Sequence, residues 1–284
     1  MPDLQPKSRG RHAPTSRQIC NLVPTADNRP PHPALHFLQA DEPVMQANME
    51  RHYRYLDLIM AVFVSVLVVS NVASSAKIVD WGFSILGVRM AFDAGTLLFP
   101  VSYIFGDILT EVYGYKNSRR VIWAGFACLA LSAVIFWIVR ILPGESHWQQ
   151  YAGDAAYLAI LGGMSSGGIV LASLAGYWSG EFTNSFVLAK MKILTRGRWL
   201  WMRTIGSTIV GELVDTLLFV FIASLFQVFP WNLFITLTVT NYLFKVGLEG
   251  VMTPLTYAAV SKLKKAENED YYDRKTDFNP FQAW

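Results

Sequence analysis

Long apolar runs are the feature that most limits what this chain can fold into. One of them, YLDLIMAVFVSVLVVSNVASSA at residues 55–76, contains a single charged residue, Asp57. A helix of about 20 predominantly apolar residues crosses the hydrocarbon core of a bilayer. Charged residues make up 16% of the chain, against about a quarter in soluble domains, and beyond residue 55 they cluster between the apolar runs. These features predict an all-α integral membrane protein.

The apolar runs predict six transmembrane helices, at about residues 55–76, 93–113, 121–142, 157–190, 204–229 and 231–260. Between the first two, the alternating stretch FSILGVRMAF predicts a strand-like hairpin or a loop. The fourth run is longer than one crossing needs and contains GGMSSGG at residues 162–168. Because glycine weakens a helix, a bent or interrupted helix is expected there, and a small-residue packing face is the alternative.

Lysine and arginine residues indicate the orientation of the helices. They precede the first run, follow the second, separate the fourth from the fifth and follow the sixth. The opposite loops contain few of them and carry Asp80, Glu145 and Asp154. Since cytoplasmic loops are enriched in lysine and arginine, both termini are predicted to be cytoplasmic.

Three regions follow from composition. Residues 1–50 contain eight of the 13 prolines and no periodic apolar pattern, which is typical of a disordered extension. Residues 51–264 form the predicted six-helix transmembrane domain, and residues 265–284 form a polar cytoplasmic tail. A start at Met45 or Met49 is the alternative interpretation of the extension.

Several classes of site are not indicated. The two cysteines, Cys20 and Cys128, and the five histidines do not have the spacing of a zinc site, and no phosphate-binding P-loop motif occurs. The basic residues are spread over several loops, so nucleic acid is not an expected partner. We therefore expect no metal and no cofactor.

Polar residues inside the apolar runs indicate a functional centre. They fall in pairs three or four positions apart, which places each pair on one helix face: Asp107 with Glu111, Glu181 with Asn184, Glu212 with Asp215, and Lys245 with Glu249. Charged groups in hydrocarbon are costly, so they normally face a cavity or each other. Four such faces predict a central hydrophilic site.

Some of these polar residues also fit purely structural roles. Lys245 and Glu249 have the spacing of a self-contained ion pair that only fixes packing. Asp93 is a candidate for a wet position at the membrane rim, and Asp107 and Glu111 for interfacial positions. Glu181, Asn184, Glu212 and Asp215 lie inside their runs and are therefore the favoured ligand-binding residues. Together with the aromatic residues Tyr103, Phe219 and Tyr242, they suit a flat, nitrogen-rich ring with N–H donors.

Two long motifs carry a family resemblance. FPVSYIFGDILTEVYGYKNSRRVIW begins at Phe99, and GEFTNSFVLAKMKILTRGRWLWMRTIGSTIVGELVDTLLF begins at Gly180. They resemble the queuosine precursor transporter family, six-helix bacterial inner-membrane proteins related to the S-components of energy-coupling-factor vitamin transporters. The resemblance covers about residues 55–264, and the long N-terminal extension departs from the family pattern.

The resemblance implies a transporter, not an enzyme, in the bacterial inner membrane. It implies import of 7-cyano-7-deazaguanine, 7-aminomethyl-7-deazaguanine or both, for queuosine modification of tRNA. We assign the substrate site to the positions that match the motifs and carry polar groups: Asp107, Glu111, Glu181, Asn184, Glu212 and Asp215.

Two alternatives to a self-sufficient transporter stay open at this point, and so does assembly into a homo-oligomer. The first alternative is an S-component, which would need a separate ATPase module as its energy-coupling partner. An intramembrane aspartyl hydrolase would use Asp107 and Asp215 as a dyad that shares one proton. For a transporter, the energy source is equally open between a proton coupled through Glu212 or Asp215 and facilitated diffusion.

Overall fold

The computed structural model describes residues 53–85 and 88–282, and the predicted disordered extension, residues 1–50, lies outside them. The described chain is helical except for one β-hairpin. The helices are α1 Leu56–Ala76, α2 Phe99–Ile141, α3 Ser146–Tyr151, α4 Gly153–Ser165, α5 Gly167–Leu194, α6 Leu200–Leu225 and α7 Phe234–Glu267. Two short 3-10 helices, Ala94–Leu98 and Trp231–Leu233, precede α2 and α7.

The outer faces of the long helices are apolar and exposed. Leu58 on α1, Leu131 on α2 and Leu243 on α7 are each more than 60% exposed, as expected of side chains that face lipid. Within the described residues, four segments are long and apolar enough to cross a membrane: Leu56–Ala76, Ile104–Ile141, Gly153–Leu194 and Leu200–Leu225. The helical membrane fold is therefore confirmed, while the count of six crossings and the orientation stay predictions.

The predicted second and third membrane helices follow each other directly in α2, which consists of two helical parts joined at the non-helical residue Gly114. Gly114 has φ 82° and ψ 170°, a conformation that is essentially restricted to glycine. The chain therefore changes direction at Gly114, with no longer loop between the two helical parts. Pro100 lies at the start of α2, where its missing N–H costs no helical hydrogen bond.

The long fourth apolar run is interrupted as expected. Ser166 has φ −94° and ψ 124°, an extended conformation that ends α4 and begins α5. Gly163, just before the break, packs against Ser75 at the end of α1, since a Cβ on this glycine would lie 2.7 Å from the Ser75 Oγ. The break therefore lies where α4 approaches α1.

The stretch between α1 and α2 is a hairpin, one of the two forms predicted for it. β1 Ile78–Ile85 pairs antiparallel with β2 Val88–Asp93, with Ile78 opposite Asp93 and Ile85 opposite Val88. The register shifts between Asp80 and Ser84. The side chain of Asp93, which we considered for the membrane rim, lies outside the described residues.

The polar segment that follows α7, residues 268–282, is folded onto the helix ends and is called the C-terminal segment below. Asp273 accepts hydrogen bonds from the Tyr115 N–H at 3.0 and 3.1 Å. The Trp123 Nε1 donates to the Pro280 carbonyl at 2.9 Å, and the ring of Tyr271 packs against Gly114. Residues 265–267 are the last residues of α7. The region predicted as a polar tail is therefore packed against the membrane domain.

The end of α7 also holds the start of α1. The Glu267 carboxylate accepts hydrogen bonds from the backbone N–H groups of Arg54 and Tyr55, at 3.0 and 2.7 Å. The first N–H groups of a helix have no partner within the helix, so a carboxylate at this position stabilises α1. The Tyr113 hydroxyl donates to the same carboxylate at 2.9 Å, which joins α1, α2 and α7 at one end.

The kink at Gly114 leads to a stability prediction. A Cβ at this position would clash with the Tyr271 ring, and the backbone conformation itself costs a non-glycine residue about 1–3 kcal/mol. Gly114→Ala is expected to lower the thermal unfolding midpoint in detergent. Gly247→Ala is the matched control, because nothing lies within 4 Å of a Cβ there and alanine favours a helix. Equal midpoints for the two variants would contradict the prediction.

Candidate substrate site

A cavity of about 1470 Å³ lies among α1, α2, α4, α5, α6 and α7. Its walls are mostly apolar and include charged and amide side chains from α5, α6 and α7. These side chains are Glu181, Asn184, Glu212, Asp215, Asn241 and Lys245, called the charged group below; Asn71 on α1 and Lys77 just after α1 also line the cavity. The four residues favoured from sequence thus meet at one cavity.

Glycines bring α5 and α6 into close contact at this place. A Cβ on Gly180 would lie 2.6 Å from the Asp215 Cβ, and a Cβ on Gly211 would lie 2.7 Å from the Asn184 Cβ. Gly176 and Gly180 have the four-residue spacing at which small residues allow membrane helices to approach closely. The contact between backbones therefore sets Glu181 and Asn184 on α5 beside Glu212 and Asp215 on α6.

Lys245 on α7 neutralises part of this charge. Its Nζ lies 2.8 Å from a Glu212 carboxylate oxygen and also donates a hydrogen bond to Asp215. The pair Lys245–Glu249 was considered from sequence as a self-contained ion pair, and the structure contradicts it. Neither Glu249 oxygen has a hydrogen-bond partner among the described residues, because Lys245 points to α6 instead.

Gly106 lets α2 lie close to Glu181 and Asn184. A Cβ on Gly106 would lie 3.3 Å from a Glu181 carboxylate oxygen and 3.9 Å from the Asn184 Nδ2. Gly106 lines the cavity. A side chain here would press on both residues, so α2 contributes backbone to the site.

Asp107, the next residue on α2, turns away from the cavity into the protein. It is 1% exposed and does not line the cavity. Asn184 on α5 and Glu249 on α7 face it. Asp107 therefore lies behind the cavity wall, in contact with one of the cavity residues.

Glu111 does not line the cavity, although we assigned it to the substrate site. One turn beyond Asp107, it accepts hydrogen bonds from Arg203 at 2.9 Å and Lys264 at 2.6 Å. The Lys192 ammonium lies 3.5 Å from the same oxygen and 2.6 Å from Asp270 in the C-terminal segment. An ion cluster of Glu111, Lys192, Arg203, Lys264 and Asp270 thus joins α2, α5, α6 and α7, with Glu111, Lys192 and Arg203 buried and Asp270 partly exposed.

Asp270 stabilises this cluster at neutral pH. Burial acts to raise the pKa of its carboxyl group, but hydrogen bonds from Lys192 and Lys264 outweigh burial and lower the pKa below its usual value. A carboxyl group with a lowered pKa in the folded state stabilises the fold above its ordinary pKa. The contribution is lost as the pH falls through the lowered pKa.

The aromatic residues named from sequence have different positions. Phe219 lines the cavity, together with Phe229, Phe244 and Tyr177. Tyr242 does not line it, and its hydroxyl donates to the Ile209 carbonyl at 3.2 Å. The side chain of Tyr103 lies outside the described residues. Phe219 is thus the predicted aromatic residue that the structure brings to the cavity.

A polar face of α1 was missed by the sequence analysis. Ser70, Asn71, Ser74 and Ser75 on α1 line the cavity as well. The Ser173 hydroxyl on α5 donates to the Asn71 Oδ1 at 3.1 Å. The stretch SNVASS places these side chains one turn apart on one face, and this spacing was the available signal.

Removing the lysine of the charged group is expected to destabilise the protein. Lys245→Met leaves Glu212 and Asp215 without their shared cation, which costs about 3–5 kcal/mol for a buried pair that loses one partner. The double variant Lys245→Met/Asp215→Asn is expected to recover part of the loss, since one negative charge is removed as well. Thermal unfolding in nanodiscs measures both variants, with the exposed Lys262→Met as the control. A Lys245→Met protein as stable as this control would contradict the prediction.

Comparison with known proteins indicates that the chain is similar to transporters. The chain is 27% identical over 175 residues to a Bacillus subtilis (strain 168) protein named "Probable queuosine precursor transporter", covering 61% of this chain and 73% of that protein. It is 25% identical over 217 residues to the "Queuosine precursor transporter" of Escherichia coli (strain K12), covering 75% of this chain and 89% of that protein. No solved structure matches the chain.

A family model described as "Putative vitamin uptake transporter" matches residues 93–259. This match covers more than half of the chain and includes the cavity residues of α5, α6 and α7. Members of the family are transporters, so the aspartyl hydrolase alternative is set aside; Asp215 is also paired with Lys245. The chain is therefore a multi-pass bacterial membrane protein that belongs to the vitamin uptake transporter family.

Proposed function

We propose that this protein imports queuosine precursors across the bacterial inner membrane and releases them to the cytoplasm for tRNA modification. The substrate is 7-cyano-7-deazaguanine, 7-aminomethyl-7-deazaguanine or both of these bases. The observation that carries the proposal is the meeting of Glu181, Asn184, Glu212 and Asp215 at one cavity. The names of the curated relatives supply the class of substrate.

The cavity offers the groups that such a base needs. Deazaguanine is a flat ring with several N–H donors and a carbonyl acceptor. The Glu181 carboxylate accepts hydrogen bonds, and the Asn184 amide both donates and accepts. Phe219 offers a ring face for stacking in the same cavity. An apolar cavity with a few convergent polar groups is the usual form of a small-molecule site.

The charge of the cavity favours a cationic substituent. Three carboxyl groups, Glu181, Glu212 and Asp215, line the cavity with two ammonium groups, Lys77 and Lys245, so the carboxyl groups outnumber the ammonium groups. A 7-aminomethyl group carries a positive charge at neutral pH and would gain from the negative excess, while a 7-cyano group would not. The aminomethyl base is therefore the better electrostatic match.

Transport requires that the cavity open to each side in turn. We propose six crossings with both termini in the cytoplasm, as the distribution of lysine and arginine predicts. Helix breaks at Gly114 and Ser166 provide local bending points in α2 and between α4 and α5. Interrupted helices line the substrate cavities of many transporters.

The substitution test uses Glu181. Glu181→Gln removes a charged acceptor, and losing a hydrogen bond to a charged group costs about 1.5–3 kcal/mol, or roughly tenfold or more in affinity. Uptake of the labelled base into liposomes that contain the purified chain is expected to fall accordingly. Asp57→Asn, an exposed carboxyl-to-amide change in the first turn of α1, is expected to leave uptake unchanged. Equal uptake by the two variants would remove Glu181 from the site.

The same liposomes separate a self-sufficient transporter from an S-component. The purified chain is reconstituted without ATP and without any ATPase module. We expect the base to enter under these conditions. Binding without entry, followed by entry when an energy-coupling module is added, would establish the S-component alternative.

A further inference from the structure

Two carboxyl groups in the membrane domain have no part in the proposed binding site. Asp107 on α2 is 1% exposed and Glu249 on α7 is fully buried. Neither lines the cavity. The two carboxyl groups face each other across the α2–α7 contact. They therefore form a pair at the back of the cavity wall.

This pair has no cation to balance it among the described residues. All four carboxyl oxygens are buried and lack a hydrogen-bond partner of normal geometry there. Lys245, only one turn from Glu249 on α7, is held by Glu212 and Asp215. Glu111 lies one turn from Asp107 on α2, and the cations Arg203 and Lys264 bind Glu111. Each neighbouring positive charge is thus engaged by another carboxylate.

The groups around the pair add further negative charge. The charge of Glu181 on α5 acts on Asp107, and that of Glu212 on α6 acts on Glu249, while the neutral amide of Asn184 also faces Asp107. Charged groups in a membrane interior cost several kcal/mol each unless they are paired. Two adjacent carboxylates cannot both stay ionised under these conditions, and a shared proton is the familiar solution. The proton allows one carboxyl to donate to the other.

We propose that Asp107 and Glu249 form a proton-binding pair that couples base import to inward proton movement; this rests on the proposed function. The pair takes a proton from the outer side when the base is bound and releases it to cytoplasmic water when the base leaves. Asn184 connects the two events, because its side chain lies at the cavity and also faces Asp107. One proton then moves inward with each base.

The two helices that carry the pair can respond to its protonation. α2 kinks at Gly114, two turns beyond Asp107. α7 contains Pro254, five residues beyond Glu249, and a proline within a helix removes a hydrogen bond and favours bending. Losing the proton creates repulsion between the carboxylates, which pushes α2 and α7 apart at a place where both helices have a nearby bending point.

Proteoliposomes test the coupling with two measurements on the same preparation. The first is exchange of labelled 7-aminomethyl-7-deazaguanine at equal pH on both sides, and the second is net accumulation with the outside one pH unit more acidic. With one proton per base, this gradient is expected to drive about tenfold accumulation, which a protonophore abolishes. Exchange without any response to the gradient would overturn the coupling alone. Absence of exchange would overturn the proposed function and the coupling with it.

Amide substitutions then locate the proton site. Asp107→Asn and Glu249→Gln are expected to retain exchange and to lose the tenfold accumulation, because an amide cannot take up or release the proton. Asp57→Asn is the matched control and is expected to keep both activities. Gradient-driven accumulation in both amide variants would overturn the assignment of the pair. Accumulation by the wild-type chain that depends on a sodium gradient and not on the proton gradient would also overturn the proton coupling.

Discussion

The contact between α5 and α6 is the constraint on which the site depends. Gly180 and Gly211 leave no room for side chains between the two backbones, so the helices cross at the depth where each carries its polar residues. Bulkier residues at these positions would separate Asn184 from Asp215. Lys245 on α7 lies at the same place because its ammonium group binds both Glu212 and Asp215. The glycine contact between α5 and α6 thus determines the positions of the polar side chains at the cavity.

Charge is divided unequally between two centres of the membrane domain. Around Glu111, three cations meet one buried carboxylate, and Asp270 supplies a second one from the C-terminal segment. This centre is well compensated and serves stability. At the cavity the carboxyl groups outnumber the ammonium groups, and Lys245 is the cation that binds Glu212 and Asp215. Uncompensated charge is costly, and it is more often retained for function than for stability.

The membrane class, the interruption near Ser166 and the set of Glu181, Asn184, Glu212 and Asp215 could be predicted, because each depends on local composition or spacing in the sequence. It could not separate Asp107 from Glu111, since both lie on one face of α2 and only tertiary contacts send one toward Glu249 and the other toward Arg203. The partner of Lys245 could not be predicted for the same reason. Glu249 lies four positions away on the same helix, and only the tertiary structure shows that Lys245 binds Glu212 and Asp215 on α6 instead. The packing of residues 268–282 was also beyond local patterns, because polar residues there bind groups more than a hundred positions away.

The position of the C-terminal segment has a consequence for biosynthesis. Helices α2, α5 and α6 leave the ribosome well before Asp270, yet Lys192 needs Asp270 and the Tyr271 carbonyl to complete its hydrogen bonds. During insertion, Lys192 and Arg203 therefore meet Glu111 as an incomplete, positively charged group at one end of the helices. The segment covers Gly114 only after these later residues have been made. The final fold of the earlier helices thus depends on a part of the chain that is made after them.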